Sequence, residues 1–382
     1  MKIAYFSKTN IPSPTANSHQ SMQVCASMTR LGHSVTFFII SEQDSLQELS
    51  NENIFKFYGI SERFSITKIK IPHTRESRLR YLWSVIFVVP VVAKILYREN
   101  FDLVFGRDIL SCYLATVFRK KTIYESHAPV WLGLLEGSLF RFFIRSDYFC
   151  KLVVISHSLK KVYLDRYSNL GQKIHVGPDG AEALQETVER VTLQGDPAKI
   201  NVGYVGHLYE GKGVEVIEAI APDMPEVDFH IIGGDLESIA MWQKRISLDN
   251  VFFYGFITQS ELPAYYESLD VCLLPNQDNV FGSGSRTSKD PVNIGSFTSP
   301  LKLFEYMAHG KAIVASDLPV LREILNDQLA MLVSPRDFSG WKEAIKNLFS
   351  ESQREQLGTA ARRELEAKYS WTMRMEHIIG PN

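Results

Sequence analysis

The stretch TSPLKLFEYMAHGKAIVASDLPVLREIL (Thr298–Leu325) decides the fold of the second half of this chain. Ser299-Pro300 precedes an apolar helical pattern whose single acid is Glu305, and a glycine separates that pattern from the β-prone run AIVAS at 312–316. Proline is well tolerated in a first helical turn, and glycine ends helices at little cost. The stretch therefore predicts a loop, a helix, a turn and a strand.

The start of this predicted helix indicates an anion site. The free N–H groups of a first helical turn, at the positive end of the helix dipole, bind anions well. Glu305 lies about one turn further along, within reach of whatever is attached to the bound anion. A phosphate at the helix start and a carboxylate on a nearby hydroxyl would together hold a sugar nucleotide.

A second signal is the glycine-rich segment GYVGHLYEGKG at 203–213, which follows a strand-like run and precedes a helix predicted to begin near Val214. Glycine lets the backbone approach an anion, and Lys212 supplies a point charge for phosphate. The charge of His207 depends on pH. A lone glycine-rich turn is weak evidence, because most are simply turns.

Short apolar runs alternate with helical patterns through both halves of the chain. The predicted strands are 2–6, 34–40, 65–71, 103–106, 122–125, 152–155 and 173–176 in the first half, and 201–206, 228–232, 251–256, 271–274, 312–315 and 330–333 in the second. Most carry β-branched residues on both faces, which is typical of parallel strands buried between helices. The series restarts near Ala198, after the polar stretch 182–197, and this predicts two α/β domains joined by a linker.

The segments at 299–319 and 203–213 resemble the donor site of the family-4-type retaining glycosyltransferases with the GT-B fold. The resemblance implies two Rossmann-like, doubly wound domains that face each other across a cleft. Residues 1–185 would form the acceptor-side domain, together with a C-terminal crossing helix at 370–382. Residues 198–369 would form the domain that binds the nucleotide-sugar donor.

The resemblance also implies roles for individual residues. Glu305 matches the last Glu of the family's Glu-x7-Glu motif, which binds the ribose, while Phe297 stands where the first Glu would fall. His127, at the end of a first-half strand, matches a histidine that faces the donor sugar. The implied catalytic residues are His127, Lys212 and Glu305, and the implied donor-binding residues are Gly206, His207, Lys212, Gly255, Phe256, Ser299, Pro300, Leu301, Lys302 and Glu305.

Further candidates lie in the first half, where polar residues follow predicted strands. Asn17, Ser18 and His19 stand at the start of the first helix, where they could contact phosphate or acceptor, or merely cap the helix. Arg107 could bind the acceptor or pair with Asp108 next to it. The first strand leads into no GxGxxG sequence, which disfavours ordinary dinucleotide binding.

Metal and cofactor chemistry find little support in the sequence. There is no Asp-x-Asp of the kind that bridges a diphosphate through a hard cation, and the four cysteines have no metal-ligand spacing. We therefore expect no metal and no cofactor, with the nucleotide sugar as co-substrate. Scattered cysteines and a strand-like N-terminus also favour a cytoplasmic location, and the inner face of the membrane is one place where such a protein could act.

Overall charge is balanced, but the two halves differ. The 382 residues have a formal net charge of −2. Residues 1–200 contain 25 Lys and Arg against 18 Asp and Glu, a net +7, which leaves −9 for residues 201–382. This asymmetry could turn a basic surface toward an anionic membrane or acceptor, or be solvated surface charge. No concentrated basic face with stacking aromatics stands out, which argues against nucleic acid as a partner.

The segment RESRLRYLWSVIFVVPVVAKILYR at 75–98 has an apolar centre and basic flanks. Its apolar run, roughly 15 residues with a central proline, is too short to span a bilayer. One interpretation is a helix packed on the first-domain sheet, and the other is a peripheral patch on anionic lipid.

Together with the family resemblance, which implies retention, these observations predict a retaining glycosyltransferase that moves a sugar from a nucleotide-diphosphate sugar to a hydroxyl of a glycan or polyprenyl-linked acceptor. By resemblance, bacterial envelope polysaccharide synthesis is the expected setting. The alternatives are a catalytically silent sugar-nucleotide-binding or scaffold protein, or an inverting transferase or epimerase on the same fold. The absent first Glu of the motif is the feature that keeps the silent protein in consideration.

Overall fold

The computed structural model describes residues 1–41, 51–72, 83–132, 135–183, 188–280 and 293–380. The chain divides into two compact units. Unit 1 is Met1–Pro178 together with Trp371–Asn382, and unit 2 is Asp179–Ser370. Each unit has its own parallel sheet, as the alternation of strand and helix patterns predicts.

Unit 1 contains a seven-stranded parallel sheet in the order β3-β2-β1-β4-β5-β6-β7. The strands are β1 (Lys2–Lys8), β2 (Ser34–Ser41), β3 (Ser65–Lys70), β4 (Leu103–Gly106), β5 (Thr122–Ser126), β6 (Phe149–Val154) and β7 (Ile174–Val176). The helices are α1 (Ala16–Arg30), α2 (Asn51–Phe57), α3 (Val89–Arg98), α4 (Ile109–Val117), α5 (Glu136–Phe143), α6 (His157–Arg166) and, from the end of the chain, α13 (Trp371–Ile379). The strand order reverses between β1 and β4, and in doubly wound sheets ligands bind beyond the carboxyl ends of the strands at such a point.

The apolar segment near the middle of unit 1 forms a helix with two different sides. A π-helical turn, Ser84–Val88, leads into α3, where Val92 and Leu96 are buried while Val91 and Tyr97 are exposed. The helix therefore packs on the unit with one side, as the first interpretation of the segment predicts, while contact of the other side with lipid stays a prediction. Its first residues, 75–82, lie outside the described ranges.

Unit 2 contains a six-stranded parallel sheet in the order β10-β9-β8-β11-β12-β13. The strands are β8 (Ile200–Val205), β9 (Val227–Ile232), β10 (Val251–Gly255), β11 (Val271–Leu274), β12 (Ala312–Ser316) and β13 (Met331–Val333). The helices are α7 (Val214–Ile220), α8 (Leu236–Arg245), α9 (Leu262–Ser268), α10 (Leu301–Ala308), α11 (Phe338–Asn347) and α12 (Glu351–Lys368). Here the order reverses between β8 and β11, so the segments that follow these two strands define the expected binding edge.

Both faces of the unit 2 sheet are covered by apolar cores. On one face Val202 packs in a cluster with Val216 and Trp341 from two helices. On the other face Leu274 packs in a cluster that includes Phe304 of α10. Burial on both faces explains why these strands read as continuous apolar runs instead of alternating patterns.

Every strand predicted from the sequence is present, with its ends displaced by three residues at most. The polar stretch 182–197, predicted as a linker, is described in part and belongs to unit 2, where its residues 188–197 bond to other segments of the same unit. Within them the Gln194 amide donates to the Tyr254 hydroxyl at 2.9 Å, and the Ser268 hydroxyl donates to the Val191 carbonyl at 2.8 Å. The long loop before α10 lies mostly outside the described ranges, at residues 281–292.

No helix in the described ranges combines the length and the apolar character needed to cross a membrane.

Candidate functional site

Two glycines shape the carboxyl ends of β8 and β9. Gly206 directly follows β8, has φ 139°, and donates its N–H to the carbonyl of Ile232 at 2.8 Å. Gly233, after β9, has φ 117°, and a Cβ added there would lie 2.3 Å from the Gly206 carbonyl oxygen. Only glycine tolerates both this backbone conformation and this close approach. The two strand ends therefore meet with no side chain between them, which leaves exposed backbone at the predicted binding edge.

The loop after Gly206 brings aromatic and basic side chains together. The Tyr204 hydroxyl donates to the His207 carbonyl at 2.5 Å, and the His207 ring stacks on Tyr209 with 5.0 Å between ring centres. The Lys212 Nζ lies 5.8 Å from the centre of the same Tyr209 ring. Burial lowers the pKa of Lys212 to about 8. Burial also lowers the pKa of His207, and the charges of Lys212 and Lys302 lower it further.

Helix α10 begins at the position predicted for an anion site. Its N-cap is Pro300, whose side chain has no acceptor, so the N-cap residue makes no side-chain hydrogen bond to the first-turn amides. The Ser299 hydroxyl, which could have served as a cap, instead accepts a hydrogen bond from the Asp179 amide at 2.9 Å. A helix start without a side-chain cap suits an external anion.

Lys302 is the most unusual side chain at this edge. Its Nζ is buried and has no hydrogen-bond partner among the described residues. It lies 3.8 Å from the centre of the Tyr204 ring, and a Cβ added to Gly206 would be 3.4 Å from it. Burial lowers its pKa well below the ordinary value, and the charge of Lys212 acts in the same direction. A buried ammonium that lacks an acceptor is costly, and a bound anion would remove that cost.

Glu305 lies one turn further along α10, as the sequence predicts. Its Oε2 accepts a hydrogen bond from the Tyr266 hydroxyl at 2.6 Å. Burial raises the pKa of its carboxyl, while Tyr266 and Lys302 oppose that rise. The helix therefore holds a carboxylate and an ammonium, Glu305 and Lys302, on successive turns beside the glycine loop.

Two further positions at this edge bear on the donor site. Phe297, which replaces the first Glu of the resembled motif, is buried and contributes to packing. Asn276 follows β11 and is 1% exposed, and neither atom of its amide has a hydrogen-bond partner in the described part of the chain. An unsatisfied buried amide is uncommon and points to a ligand or a bound water.

A separate hollow lies at the carboxyl end of β10. Its volume is about 480 Å³, and it is lined by residues 234–237, Ile239, Gly255 and Phe256. Phe256 is 49% exposed, so its ring is accessible from the hollow. This is the position that the family resemblance assigns to the nucleobase.

In unit 1, His127 follows β5 and contacts a buried acid two residues earlier. The His127 Nε2 lies 2.7 Å from Oε1 of Glu125, whose side chain is fully buried. The same oxygen accepts from Gln20 Nε2 at 2.5 Å and pairs with Arg374 Nη2 at 3.1 Å. Burial lowers the pKa of His127 to about 4, and the charge of Arg107 lowers it as well, so the imidazole is neutral at pH 7.

Arg107 does not pair with the neighbouring acid, so that expectation was wrong. The Asp108 carboxylate accepts from the Ser111 amide at 2.8 Å and caps α4. Arg107 instead donates from Nη1 to the side-chain oxygen of Gln20 at 2.9 Å, and Gln20 in turn contacts Glu125. Asp108 prefers the cap because a helix N-terminus offers it backbone donors at short range.

The polar residues at the start of α1 make local bonds. The Asn17 side chain donates to the Lys8 carbonyl at 3.1 Å, and the Ser18 hydroxyl donates to two carbonyls just before the helix, each at 2.7 Å. Burial lowers the pKa of His19 to about 4. These bonds give Asn17 and Ser18 a structural role at the helix start, and their contact with phosphate or acceptor stays a prediction.

Several site residues were not found by sequence reasoning. Glu125 could have been found, because residues i and i+2 of a strand point to the same side and His127 follows it by two positions. Tyr266 and Arg374 carry no local signal, since each reaches its partner from a distant part of the chain.

The family model for Glycosyl transferases group 1 matches residues 199–351, a range that includes Gly206, Lys212, Lys302 and Glu305. An uncharacterized 41.2 kDa protein in the cps region of Klebsiella pneumoniae is 22% identical over 284 residues, which are 74% of this chain and 70% of that protein. TuaH of Bacillus subtilis (strain 168), described as a teichuronic acid biosynthesis glycosyltransferase, is 29% identical over 154 residues. That match covers 39% of this chain and 35% of TuaH.

Solved structures resemble the whole chain. Sucrose-phosphate synthase from Thermosynechococcus elongatus has a TM-score of 0.69 at 17% identity, covering 99% of this chain and 98% of that one. HepE of Anabaena, in complex with UDP and glucose, has a TM-score of 0.65 at 14% identity, with the same two coverages. At these identities the likeness shows the fold, and it confirms the predicted pair of parallel-sheet α/β domains. Residues 199–351 are thus a glycosyl transferases group 1 domain, and the chain as a whole has the GT-B fold of the glycosyltransferases that it resembles.

Proposed function

We propose that the chain transfers a sugar from a nucleotide-diphosphate sugar to a hydroxyl of a glycan or lipid-linked acceptor, with retention of the anomeric configuration. The observation that carries the proposal is the buried Lys302 Nζ, which has no hydrogen-bond partner in the described chain and lies beside Gly206 and the start of α10. Such a group lacks an anion, and the diphosphate of a nucleotide sugar supplies one together with a ribose for Glu305.

The proposed chemistry needs positive charge where the leaving group gains negative charge. As the bond from the anomeric carbon to the diphosphate breaks, the carbon becomes oxocarbenium-like and the diphosphate takes up the electron pair. Lys212, Lys302 and the uncapped amides at Leu301 would stabilise that charge as it develops. No carboxylate nucleophile is assigned, so we propose that the acceptor attacks the face that the diphosphate leaves and a donor phosphate oxygen takes its proton.

We further propose that transfer requires no metal ion. Lys212 and Lys302 supply two positive charges at the proposed phosphate position, which is the neutralisation that a hard cation would otherwise provide. Full activity in excess EDTA, with no gain from added Mn²⁺ or Mg²⁺, is the expected result. Loss of activity in EDTA that a divalent cation restores would contradict this part of the proposal.

The test of donor binding is a thermal-stabilisation screen with UDP-, GDP-, ADP- and CMP-linked sugars. We expect one donor class to stabilise the wild type and to have a much smaller effect on Lys212→Met. The matched control is Lys346→Met, an exposed lysine of unit 2 whose Nζ lies 3.8 Å from Glu226. If every donor fails to stabilise the wild type, or if Lys212→Met responds as the wild type does, the proposed site is wrong.

The test of retention is the anomeric configuration of the first product, read by proton NMR from its anomeric coupling constant. A product with the donor's configuration supports the proposal. An inverted product would favour the inverting alternative and would require a general base that the proposal does not include.

The setting in envelope polysaccharide synthesis draws support from the Klebsiella and Bacillus relatives, whose descriptions name a cps region and teichuronic acid.

We also propose that unit 1 contacts an anionic membrane surface at the cytoplasmic side. Large apolar side chains are exposed on α3, α4 and α5 and on the turns that precede α3 and α5, and α4 packs against both of its neighbouring helices. They are Ile86, Phe87, Val91, Tyr97, Val117, Leu132, Leu135 and Phe142. The same stretch carries the exposed basic residues Lys94, Arg98, Arg119, Lys121, Arg141 and Arg145. Apolar side chains with basic neighbours are typical of proteins that bind at the lipid interface.

Vesicle sedimentation tests the membrane contact. We expect binding to phosphatidylglycerol vesicles, little binding to phosphatidylcholine, and weaker binding at high salt because exposed charges are screened. Phe87→Glu with Phe142→Glu should abolish sedimentation. The control Phe349→Glu changes a similarly exposed ring in unit 2 and should sediment normally. Equal sedimentation of the double variant and the wild type would refute the contact.

A further inference from the structure

The strongest unexplained feature outside the donor site is the buried acid Glu125. Its side chain is fully buried in a sheet whose neighbouring strands are apolar, and its Oε2 has no hydrogen-bond partner among the described residues. An unpaired carboxylate in such a place costs several kcal/mol or takes up a proton. Something must therefore keep Glu125 ionised.

That role falls to Arg374 of the last helix, α13. Its Nη2 lies 3.1 Å from Glu125 Oε1 and also donates to the Gly177 carbonyl at 3.1 Å, while its Nε donates to the Pro178 carbonyl at 2.7 Å. The guanidinium is itself buried, so the pair is shielded from water. Burial alone would raise the pKa of the Glu125 carboxyl, but Arg374 and then His127 hold it below the ordinary value.

A carboxylate in this place decides which nitrogen of His127 carries the proton. Burial and Arg107 keep the imidazole neutral at pH 7, although Glu125 itself pulls in the other direction. A neutral imidazole has one N–H, and an ionised carboxylate can only accept. Since Glu125 Oε1 is 2.7 Å from Nε2, the proton is on Nε2 and the lone pair is on Nδ1.

We propose that Arg374 is a positioning residue that, through Glu125, fixes His127 in its Nε2–H tautomer and so presents Nδ1 as the acceptor for a hydroxyl of the donor sugar. The second half of this proposal rests on the proposed function, while the first half concerns the protein alone. Gln20 and Arg107 complete the arrangement, because Gln20 donates to Glu125 and accepts from Arg107. Within unit 1, the charged groups that shift the pKa of His127 are Glu125, Arg107 and Arg374.

The physical consequence of losing Arg374 is a change of tautomer. Without the guanidinium, Glu125 would be a buried, uncompensated charge and would take up a proton. A protonated carboxyl can donate to Nε2, which would move the imidazole proton to Nδ1. The acceptor that a sugar hydroxyl needs would then be absent, although every atom of His127 is still present.

The experiment is ¹⁵N NMR of histidine-labelled protein without substrate, with the His127 signals assigned by their loss in His127→Gln. We expect a pyrrole-type Nε2 and a pyridine-type Nδ1 in the wild type, and loss of that pattern in Arg374→Gln. Arg30→Gln is the matched control, because Arg30 donates to Thr372 of the same helix at 3.0 Å without contacting Glu125. Glu125→Met, which removes the acceptor at 2.7 Å from Nε2 and keeps a side chain of similar length, should also lose the pattern, and it tests the arrangement independently of Arg374→Gln.

A pyrrole-type Nδ1 in the wild type would overturn the tautomer assignment. An unchanged pattern in Arg374→Gln would overturn the role of Arg374, and an unchanged pattern in Glu125→Met would overturn the role of Glu125. Adding the donor found by the thermal screen should shift Nδ1 in the wild type, and an unshifted Nδ1 would overturn the sugar contact. Loss of one neutral hydrogen bond predicts about a tenfold fall in donor kcat/KM for Arg374→Gln. The Kd of the free nucleotide should stay unchanged, which separates this outcome from failure of the donor site.

Discussion

Replacing Lys302 by methionine should stabilise the nucleotide-free protein and weaken nucleotide binding at the same time. Methionine keeps an unbranched apolar stem against Tyr204 and removes the buried ammonium, whose Nζ has no hydrogen-bond acceptor in the described chain. The two effects have opposite signs, and this separates a binding residue from one that merely supports the fold.

The magnitude follows from two opposing contributions. A buried donor without a partner costs about 1–3 kcal/mol, and a charged one costs more. Attraction to the Tyr204 ring at 3.8 Å offsets about 0.5–2 kcal/mol of this. We therefore expect Lys302→Met to raise the free energy of unfolding of unit 2 by about 1 kcal/mol. For a unit of 192 residues, Asp179–Ser370, this is a rise in Tm of about 2–4 °C.

Nucleotide binding should change in the other direction. A charge-assisted hydrogen bond to the diphosphate contributes about 1.5–3 kcal/mol, so its loss raises Kd about 10- to 150-fold. The assays are thermal unfolding without ligand and calorimetric titration with the nucleoside diphosphate of the donor found by the screen. Lys346→Met is the control and should leave both quantities within error. A lower Tm without ligand, or an unchanged Kd, would show that Lys302 is a structural residue and that the anion site lies elsewhere.

Three further substitutions or conditions test the same edge of unit 2. Binding of a diphosphate favours protonated Lys212 and so raises its pKa from about 8. The affinity for nucleotide should therefore be full below that pH and fall as pH rises through it. Calorimetric titration in two buffers of different ionisation enthalpy should show proton uptake on binding. Tyr266→Phe removes the hydroxyl that donates to Glu305 at 2.6 Å, so the free energy of unfolding should fall by about 1 kcal/mol. The pKa of the Glu305 carboxyl should rise, and in a pH titration the loss of nucleotide affinity on acidification should begin at a higher pH than in the wild type. Gly233→Ala places a Cβ 2.3 Å from the Gly206 carbonyl at φ 117°, and should cost more than about 2 kcal/mol in urea unfolding, whereas a loss below 0.5 kcal/mol would mean that the strand ends move apart easily.

Patterns of neighbouring residues predicted the fold well. Continuous apolar runs marked each strand because both faces of each sheet are buried, as the packing around Val202 and Leu274 shows. The glycines and prolines that interrupt these runs located the loop at Gly206 and the helix start at Pro300, since their backbone limits are local properties. Glu305 was found for the same reason, because one turn of helix fixes its distance from that start.

The pairing of Arg107 shows where neighbour-based reasoning fails. Its nearest charged neighbour in sequence, Asp108, is used by the helix that begins there, and Arg107 reaches Gln20 instead. A side chain's partner depends on which groups the backbone has already satisfied, and that is known only once the elements are placed.

The amino-acid sequence by itself determined the two α/β units, the order of their strands and helices along the chain, the loops that carry Lys212 and His127, and the helix start at Lys302. Only the tertiary structure decided the electrostatic state of those residues. The Lys302 Nζ packs against the Tyr204 ring, where no group of the described chain accepts a hydrogen bond from it. The tautomer of His127 is fixed because Arg374, on the last helix, keeps Glu125 ionised. Strand and helix patterns depend on residues a few positions apart, whereas burial and charge pairing depend on contacts between segments that are distant in the chain.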